Sequence, residues 1–400
     1  MKKTNLPLDK ILPEEKLLKI EKSKKKTTIG IPKEIDENES RVGLVPQSIE
    51  LFTNYGFEVI VEEGAGKKAR FSDKEYSEVG AIITNDRKKV YEADIVLKIA
   101  PPTIDELKLM KNEKIIFSSF HSIMQPKEIL NIFKSKRITG IGFEYIKDDD
   151  DYYPFVRSMS EIAGNASVLI ASELLSITNK GMGKLLGGIT GVNPTEIIII
   201  GSGTVGENAA RTALALGASI KIFDDSIYKL RRIKTKLGTN VYTSVLQPRV
   251  LENAIKKADV VIAGKWLNEG HPQVIITRNL IKSMKKGAVI IDVSIDKGGI
   301  FETSRPTTHK KPIFVEHGII HYCVPNIASK YPKTSSYAIS NLLETSLLDL
   351  ANAPTLEFIL KENTSLRNGT YIYKGILTNA AIAEIFGTTF RDINLIINAF

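Results

Sequence analysis

Apolar positions along the chain fall into two patterns. Short unbroken runs of four or five mostly β-branched residues read as strands buried on both faces. Longer stretches, apolar at every third or fourth position, read as amphipathic helices. In the first third, strands are expected at Thr28–Ile31, Glu58–Val61, Ala81–Thr84, Asp94–Lys98, Lys114–Phe117 and Ile138–Tyr145. Helices fall near Pro46–Tyr55, after Ser72 as N-cap, near Ile104–Met110 and over Lys127–Phe133. A second strand series comprises Glu196–Ile200, Ser219–Phe223, Asp259–Ile262, Ala288–Ile291 and His321–Val324. Two long helices, roughly Ser160 to Ile177 and Thr334 to Leu350, join the two series. Strand Gly369–Tyr373 and a helix from Asn379 are expected to rejoin the first. Strands alternating with helices imply parallel sheets with helices on their faces. The expected architecture is therefore α/β: two doubly wound parallel-sheet domains joined by two long crossing helices.

The second series opens on the most informative stretch. Four isoleucines, Ile197–Ile200, run into Gly201-Ser202-Gly203-Thr204-Val205-Gly206, a G-x-G-x-x-G, and then into a helix closed by Gly217. Gly201 would make the tight turn, Gly203 would let the backbone approach a pyrophosphate, and Gly206 would let helix and strand pack closely. The helix N-terminus would hold the phosphates. The next strand ends at Asp224, 18 residues beyond Gly206, where a carboxylate accepts ribose hydroxyls and repels a 2′-phosphate. Residues 155–334 thus read as a Rossmann domain for NAD. The flavodoxin- or Rossmann-like domain of 27–154 and 335–400 lacks this loop and would take the substrate, in the crevice between the two sheets.

Composition narrows the class further. With 42% hydrophobic and 25% charged residues, the chain has the balance of an ordinary globular protein. The net charge of +9 owes much to Lys22, Lys24, Lys25 and Lys26. No basic stripe interleaved with aromatics follows, so a nucleic-acid partner is not expected. Residues 1–26 read as a polar N-terminal extension with a short helix at Pro13–Ile20. A single cysteine, Cys323, allows no internal disulfide, and no apolar run reaches the ~18 residues of a membrane span. Neither a signal peptide nor a membrane partner is expected, and the protein is placed in the cytoplasm. Asp148–Asp151 reads as a solvated turn rather than a metal loop, which would need glycine and spaced ligands, and no metal is expected.

Beyond the glycine loop, Gly30-Ile31-Pro32-Lys33-Glu34, Glu39-Ser40-Arg41-Val42, Met159-Ser160-Glu161-Ile162-Ala163-Gly164 and Asp292-Val293-Ser294-Ile295-Asp296-Lys297-Gly298-Gly299 resemble segments of one family. It comprises NAD-dependent alanine dehydrogenases and the NAD-binding domain of proton-translocating transhydrogenase. The likeness runs from about Thr28 to Leu350. His121 and Asp296 together favour the dehydrogenase branch, since transhydrogenases usually lack both. The resemblance implies that Arg41 holds the substrate carboxylate, that His121 is general acid and base, and that Asp296 orients the hydrolytic water. It places Ser160, Asp292, Val293, Val324 and Asn326 along the cofactor, beside Gly201, Gly203, Thr204, Val205, Gly206 and Asp224. For Glu144 a structural ion pair and a catalytic role stay equally open. The family also implies a homo-oligomer, commonly a hexamer.

One departure stands out. Alanine dehydrogenases carry Lys-Val-Lys-Glu-Pro where this chain has Lys98-Ile99-Ala100-Pro101-Pro102. The second lysine, a carboxylate ligand in the family, is Ala100. Lys98 shares its strand face but sits ~6–7 Å away, two residues at ~3.3 Å each. Arg157 is the candidate replacement cation. A lost charge-assisted hydrogen bond costs ~1.5–3 kcal/mol, tenfold or more in binding. The resulting expectation is an NAD-dependent dehydrogenase converting a small L-amino acid, L-alanine first, to the 2-oxo acid and ammonia. The alternatives are a saccharopine-type amino- or imino-acid dehydrogenase and a non-catalytic, transhydrogenase-like NAD-binding protein.

Overall fold

The computed structural model describes residues 27–120, 125–265 and 274–398. The extension 1–26 and His121 lie outside them. Among the described residues, fifteen strands make two sheets. The first contains β1 (Thr28–Ile31), β2 (Glu58–Glu62), β3 (Ile82–Thr84), β4 (Ile95–Leu97), β5 (Ile115–Ser118) and β6 (Thr139–Gly142). The second contains β7 (Glu196–Ile200), β8 (Ser219–Asp224), β9 (Tyr242–Val245), β10 (Val260–Ala263), β11 (Val289–Asp292), β12 (Ile313–Glu316) and β13 (Ile319–Tyr322). Late in the chain, β14 (Thr370–Tyr373) and β15 (Ile376–Leu377) return to the first sheet, where β14 runs antiparallel to β6.

Spatial order makes the two sheets near copies. The first runs β3-β2-β1-β4-β5-β6 before its antiparallel edge, and the second runs β9-β8-β7-β10-β11-β13 before antiparallel β12. Both are the doubly wound order that reverses beside its first strand. Each therefore has a crevice at the carboxyl ends of that strand and the one crossing back next to it: β1 with β4, and β7 with β10. The copies share a sequence device too. Ala93-Asp94-Ile95-Val96-Leu97 and Ala258-Asp259-Val260-Val261-Ile262 occupy equivalent places. Asp94 accepts the Thr28 N–H (3.0 Å) and pairs with Lys114 (2.5 Å), while Asp259 accepts the Glu196 N–H (2.9 Å) and pairs with Lys285 (2.7 Å). Each acid locks the start of its strand to the start of the neighbouring one.

Two 21-residue helices, Pro154–Leu174 and Pro332–Asn352, join the sheets. The first starts six residues before the expected Ser160, because Pro154 sits at its first position, where a missing N–H costs nothing. Its Phe155 stacks on Phe143 in the first core, while Ala166, Ala171 and Leu174 lie in the second, so one helix serves both. The second helix buries serines: Ser336 accepts the Val42 N–H (3.0 Å) and Ser340 the Val45 N–H (3.1 Å). These bonds hold the buried loop that follows Arg41. The strand expected at His321–Val324 ends at Tyr322 and begins at Ile319, because His317 and Gly318, both at positive φ, turn a hairpin from β12. Edge strands β9 and β12 escaped the apolar pattern because their residues are mostly half-exposed.

Candidate functional site

At the end of β7 the three glycines meet three different demands. Gly201 has φ +101°, and a Cβ there would lie 2.7 Å from the Gly264 carbonyl. A Cβ on Gly206 would fall 1.9 Å from the Gly201 carbonyl oxygen. Gly203 has an ordinary φ of −75° and nothing within 4 Å of its Cβ position, so the protein itself does not require glycine there. It caps the helix Thr204–Ala215, whose first-turn N–H groups at Thr204, Val205 and Gly206 lack intrahelical partners. Gly164 of the first long helix brings that helix onto this turn: its Cβ would stand 2.5 Å from the Val205 carbonyl oxygen. The motif Met159–Gly164 thereby carries the half-buried Ser160 alongside the loop.

Asp224 ends β8 and is buried. Its Oδ2 accepts the Ser202 N–H (2.6 Å) and hydroxyl (2.9 Å), and its Oδ1 accepts the Ser226 N–H (2.9 Å). The acid thus clamps the glycine loop. Asp292, at the end of β11, is fully buried. It accepts the Ser294 N–H (3.1 Å), the Ile300 N–H (3.2 Å) and the Ser304 hydroxyl (2.6 Å), closing the loop that carries Asp296. Gly299, at φ +73°, leaves room for that carboxylate, 2.6 Å from where its Cβ would be. Asp296 is exposed on the 3₁₀ turn Ile295–Lys297, and Val293 is half-buried beside it.

The facing edge belongs to the first sheet. Glu39 and Arg41 form a buried two-point pair, Nε to Oε1 at 2.8 Å and Nη2 to Oε2 at 2.6 Å, while Nη1 meets the Met159 sulfur at 3.2 Å. Burial opposes the Glu39 charge, but Arg41 holds its carboxyl below the usual range. From the second lobe, Asn326 donates to Glu39 Oε2 (3.0 Å), with Val324 buried just before it. Asn326 sits at φ +60°, a left-handed conformation that asparagine tolerates.

Lys98 does not stand in for the family lysine. It is 1% exposed, with its ammonium 2.5 Å from Glu34 and 3.3 Å from Glu106. Burial works against its charge, but these two acids hold its pKa above the ordinary value. Glu34 also accepts the N–H groups of Ile99 (2.6 Å) and Ala100 (3.3 Å), and Arg87 pairs with Glu106 at 2.6 Å. Arg157 fails as a replacement for a different reason. It is exposed on the first turn of its helix, paired with Glu161 (3.3 Å) and packed on Tyr152. Two residues before Met159, it points ~200° around the helix from the residue that touches Arg41. Glu144 accepts the Phe120 N–H (2.7 Å), fixing the segment that leads to His121.

Comparison with known proteins agrees with this arrangement along nearly the whole chain. The family model "Alanine dehydrogenase/PNT, N-terminal domain" matches residues 30–163, and "Alanine dehydrogenase/PNT, C-terminal domain" matches 167–380. The chain belongs to the alanine dehydrogenase/PNT family. Alanine dehydrogenase of Staphylococcus haemolyticus is 37% identical over 366 residues, covering 91% of this chain and 98% of that protein. Among solved structures, an L-alanine dehydrogenase superposes with a TM-score of 0.85 at 32% identity, covering 90% and 99% of the two chains. A transhydrogenase from Sinorhizobium meliloti shares the fold, with a TM-score of 0.75 at 22% identity over 88% and 99%.

Within this family frame, sequence reasoning missed Glu39, Ser329 and the partners of Lys98. Glu39 had a signal, an acid two residues before the candidate Arg41. Glu106 had none, since it lies far along the chain in an ordinary helix cap. Among the described residues, no group of three potential metal ligands converges.

Burial raises the Asp292 pKa to about 6, against an ordinary 3.8. Because the folded value lies above the unfolded one, ionisation lowers folded-state stability as pH rises between them, and the effect levels off above about 6. Relative to Asp292→Asn, wild-type unfolding free energy in urea should therefore fall by about 2–3 kcal/mol from pH 4 to pH 7. A difference that stays flat across this range would rule out titration of Asp292 there.

Proposed function

We propose that this protein is an NAD-dependent amino-acid dehydrogenase that oxidatively deaminates a small L-amino acid, with L-alanine and water giving pyruvate and ammonium. The observation that carries the reading is the meeting of the two crevice edges at Arg41, Glu39 and Asn326, in a chain that resembles alanine dehydrogenases throughout. Residues 155–334 form the nucleotide domain, and 27–154 with 335–400 the substrate domain.

The glycine loop fits a dinucleotide. The open space at Gly203 and the free N–H groups of Thr204, Val205 and Gly206 suit a pyrophosphate, and Asp224, at the end of β8, lies where the fold places the ribose. Ser160, Val293, Val324 and Asn326 would complete the contact surface, while Asp292 acts through its loop. Bound NAD supplies the hydride acceptor. The protein's own residues do the remaining work. Arg41 binds the substrate carboxylate and fixes its orientation. His121 takes and returns the proton at the amino or carbonyl group, and Asp296 orients the water that releases ammonia. The absence of a lysine at position 100 removes one carboxylate contact.

The deciding experiment follows NADH formation with a panel of L-amino acids on wild type and Ala100→Lys. L-alanine should be oxidised by wild type, and Ala100→Lys should raise kcat/KM for it about tenfold or more, as one charge-assisted bond predicts. A different preferred amino or imino acid would point to the saccharopine-type alternative, and NAD binding without turnover to the transhydrogenase-like one. Gly203→Ala tests the cofactor site separately. It should weaken NAD binding at least tenfold while moving the thermal midpoint only a few degrees, and unchanged NAD affinity would remove the loop from that role.

We further propose that the protein is cytoplasmic and assembles as a homo-oligomer, with a hexamer as the expected stoichiometry. No helix among the described residues is long and apolar enough to cross a membrane. Ile177, Leu185, Ile189 and Val192, on the connection between the first long helix and β7, are each more than half exposed. Light scattering should show a multimer that Ile189→Lys weakens; a wild-type monomer would end that proposal.

A further inference from the structure

We infer that Glu39 is a positioning residue: it presents Arg41 to the substrate end-on and ties that arginine to the nucleotide side of the crevice. The inference rests on the dehydrogenase reading above. A guanidinium offers five N–H donors, and its side-on fork consists of Nε with Nη2. Glu39 occupies this fork from one side, at 2.8 and 2.6 Å. What remains is the end-on fork of Nη1 with the second Nη2 hydrogen, on the side of Met159, whose sulfur lies 3.2 Å from Nη1. A thioether is a weak acceptor, so a substrate carboxylate would displace it readily.

Glu39 itself is held from both lobes. Beyond Arg41 it accepts from Asn326 (3.0 Å) and from the Ser329 hydroxyl (3.3 Å). Ser329 also donates to the Asn38 carbonyl (2.8 Å) and accepts the Ser40 N–H (2.8 Å), so one nucleotide-side serine is threaded into the loop that carries the arginine. Glu39 is 2% exposed, and every bond its carboxylate makes is one it accepts. An amide in its place would set an N–H against one of these donors. The arginine fork is therefore fixed only while the segment Asn326–Ser329 engages the first lobe, and substrate binding is coupled to that engagement.

The test compares wild type, Glu39→Gln and Ser329→Ala by steady-state kinetics, NAD titration and the rate of Arg41 labelling by phenylglyoxal, read by peptide mass spectrometry. Glu39→Gln should raise the L-alanine KM at least tenfold, leave the NAD dissociation constant within twofold, and speed Arg41 labelling severalfold. Ser329→Ala should shift KM and labelling the same way by a smaller factor, and it carries the comparison if Glu39→Gln does not fold. Unchanged KM and labelling in a folded variant, or a loss confined to kcat, would overturn the role. Should wild type oxidise no amino acid, the functional reading fails, and the labelling rates still decide whether Glu39 fixes Arg41.

Discussion

Carboxylates filled with donors, buried except for the half-buried Asp94, fix one segment against another at six places among the described residues. Asp94 and Asp259 do so at the amino ends of the strands, and Glu34, Glu39, Asp224 and Asp292 at the carboxyl ends. The physical requirement is common to all six. Loops that turn beneath other segments bury backbone N–H groups, and an orphaned donor costs about 1–3 kcal/mol. A carboxylate has about four acceptor directions, so one side chain can satisfy several loop donors at once.

Those acids divide by the company they keep. Asp94, Asp259, Glu34 and Glu39 each face a cation, which holds the carboxyls of Asp94, Asp259 and Glu39 below their ordinary range, whereas burial still raises that of Glu34. Asp292 accepts from two N–H groups and a hydroxyl only, and its pKa rises to about 6. The contrast shows which term wins. Hydrogen bonds to neutral donors soften the cost of burial at Asp292 but do not cancel it, whereas a partner of opposite charge does so at Asp94, Asp259 and Glu39, though not at Glu34. The anchor of the loop bearing Asp296 therefore responds to acid within an accessible range.

Most of the fold was readable because parallel strands buried on both faces leave an unmistakable apolar run, as at Ile197–Ile200. Local chemistry was legible too. The box of Ser72 with Glu75 forms as its spacing suggests, and Asp148 organises the acidic turn by accepting from Asp150 and Tyr152. Pro154 was a start signal outweighed by the later apolar periodicity. The site was legible where a motif imposes backbone geometry, as at the glycine loop, and illegible where side chains meet across long sequence separations. Lys98 is the clear case: its own strand says only that it points inward, while its fate is decided by Glu34 and Glu106. Arg157 shows the converse, since a cation close in sequence to a functional motif turned the other way once the helix was built.

The near-duplicate sheets give Glu34 a meaning of its own. At the crevice where the second lobe keeps a glycine turn and an open helix end, the first lobe places Pro32, Lys33 and the Glu34 side chain, which accepts the N–H groups following β4. In the first lobe the anion at this place is covalently part of the chain. The repeated scaffold thus presents two unlike mouths, one already holding a carboxylate of the chain itself and one ringed by unclaimed helix N–H groups.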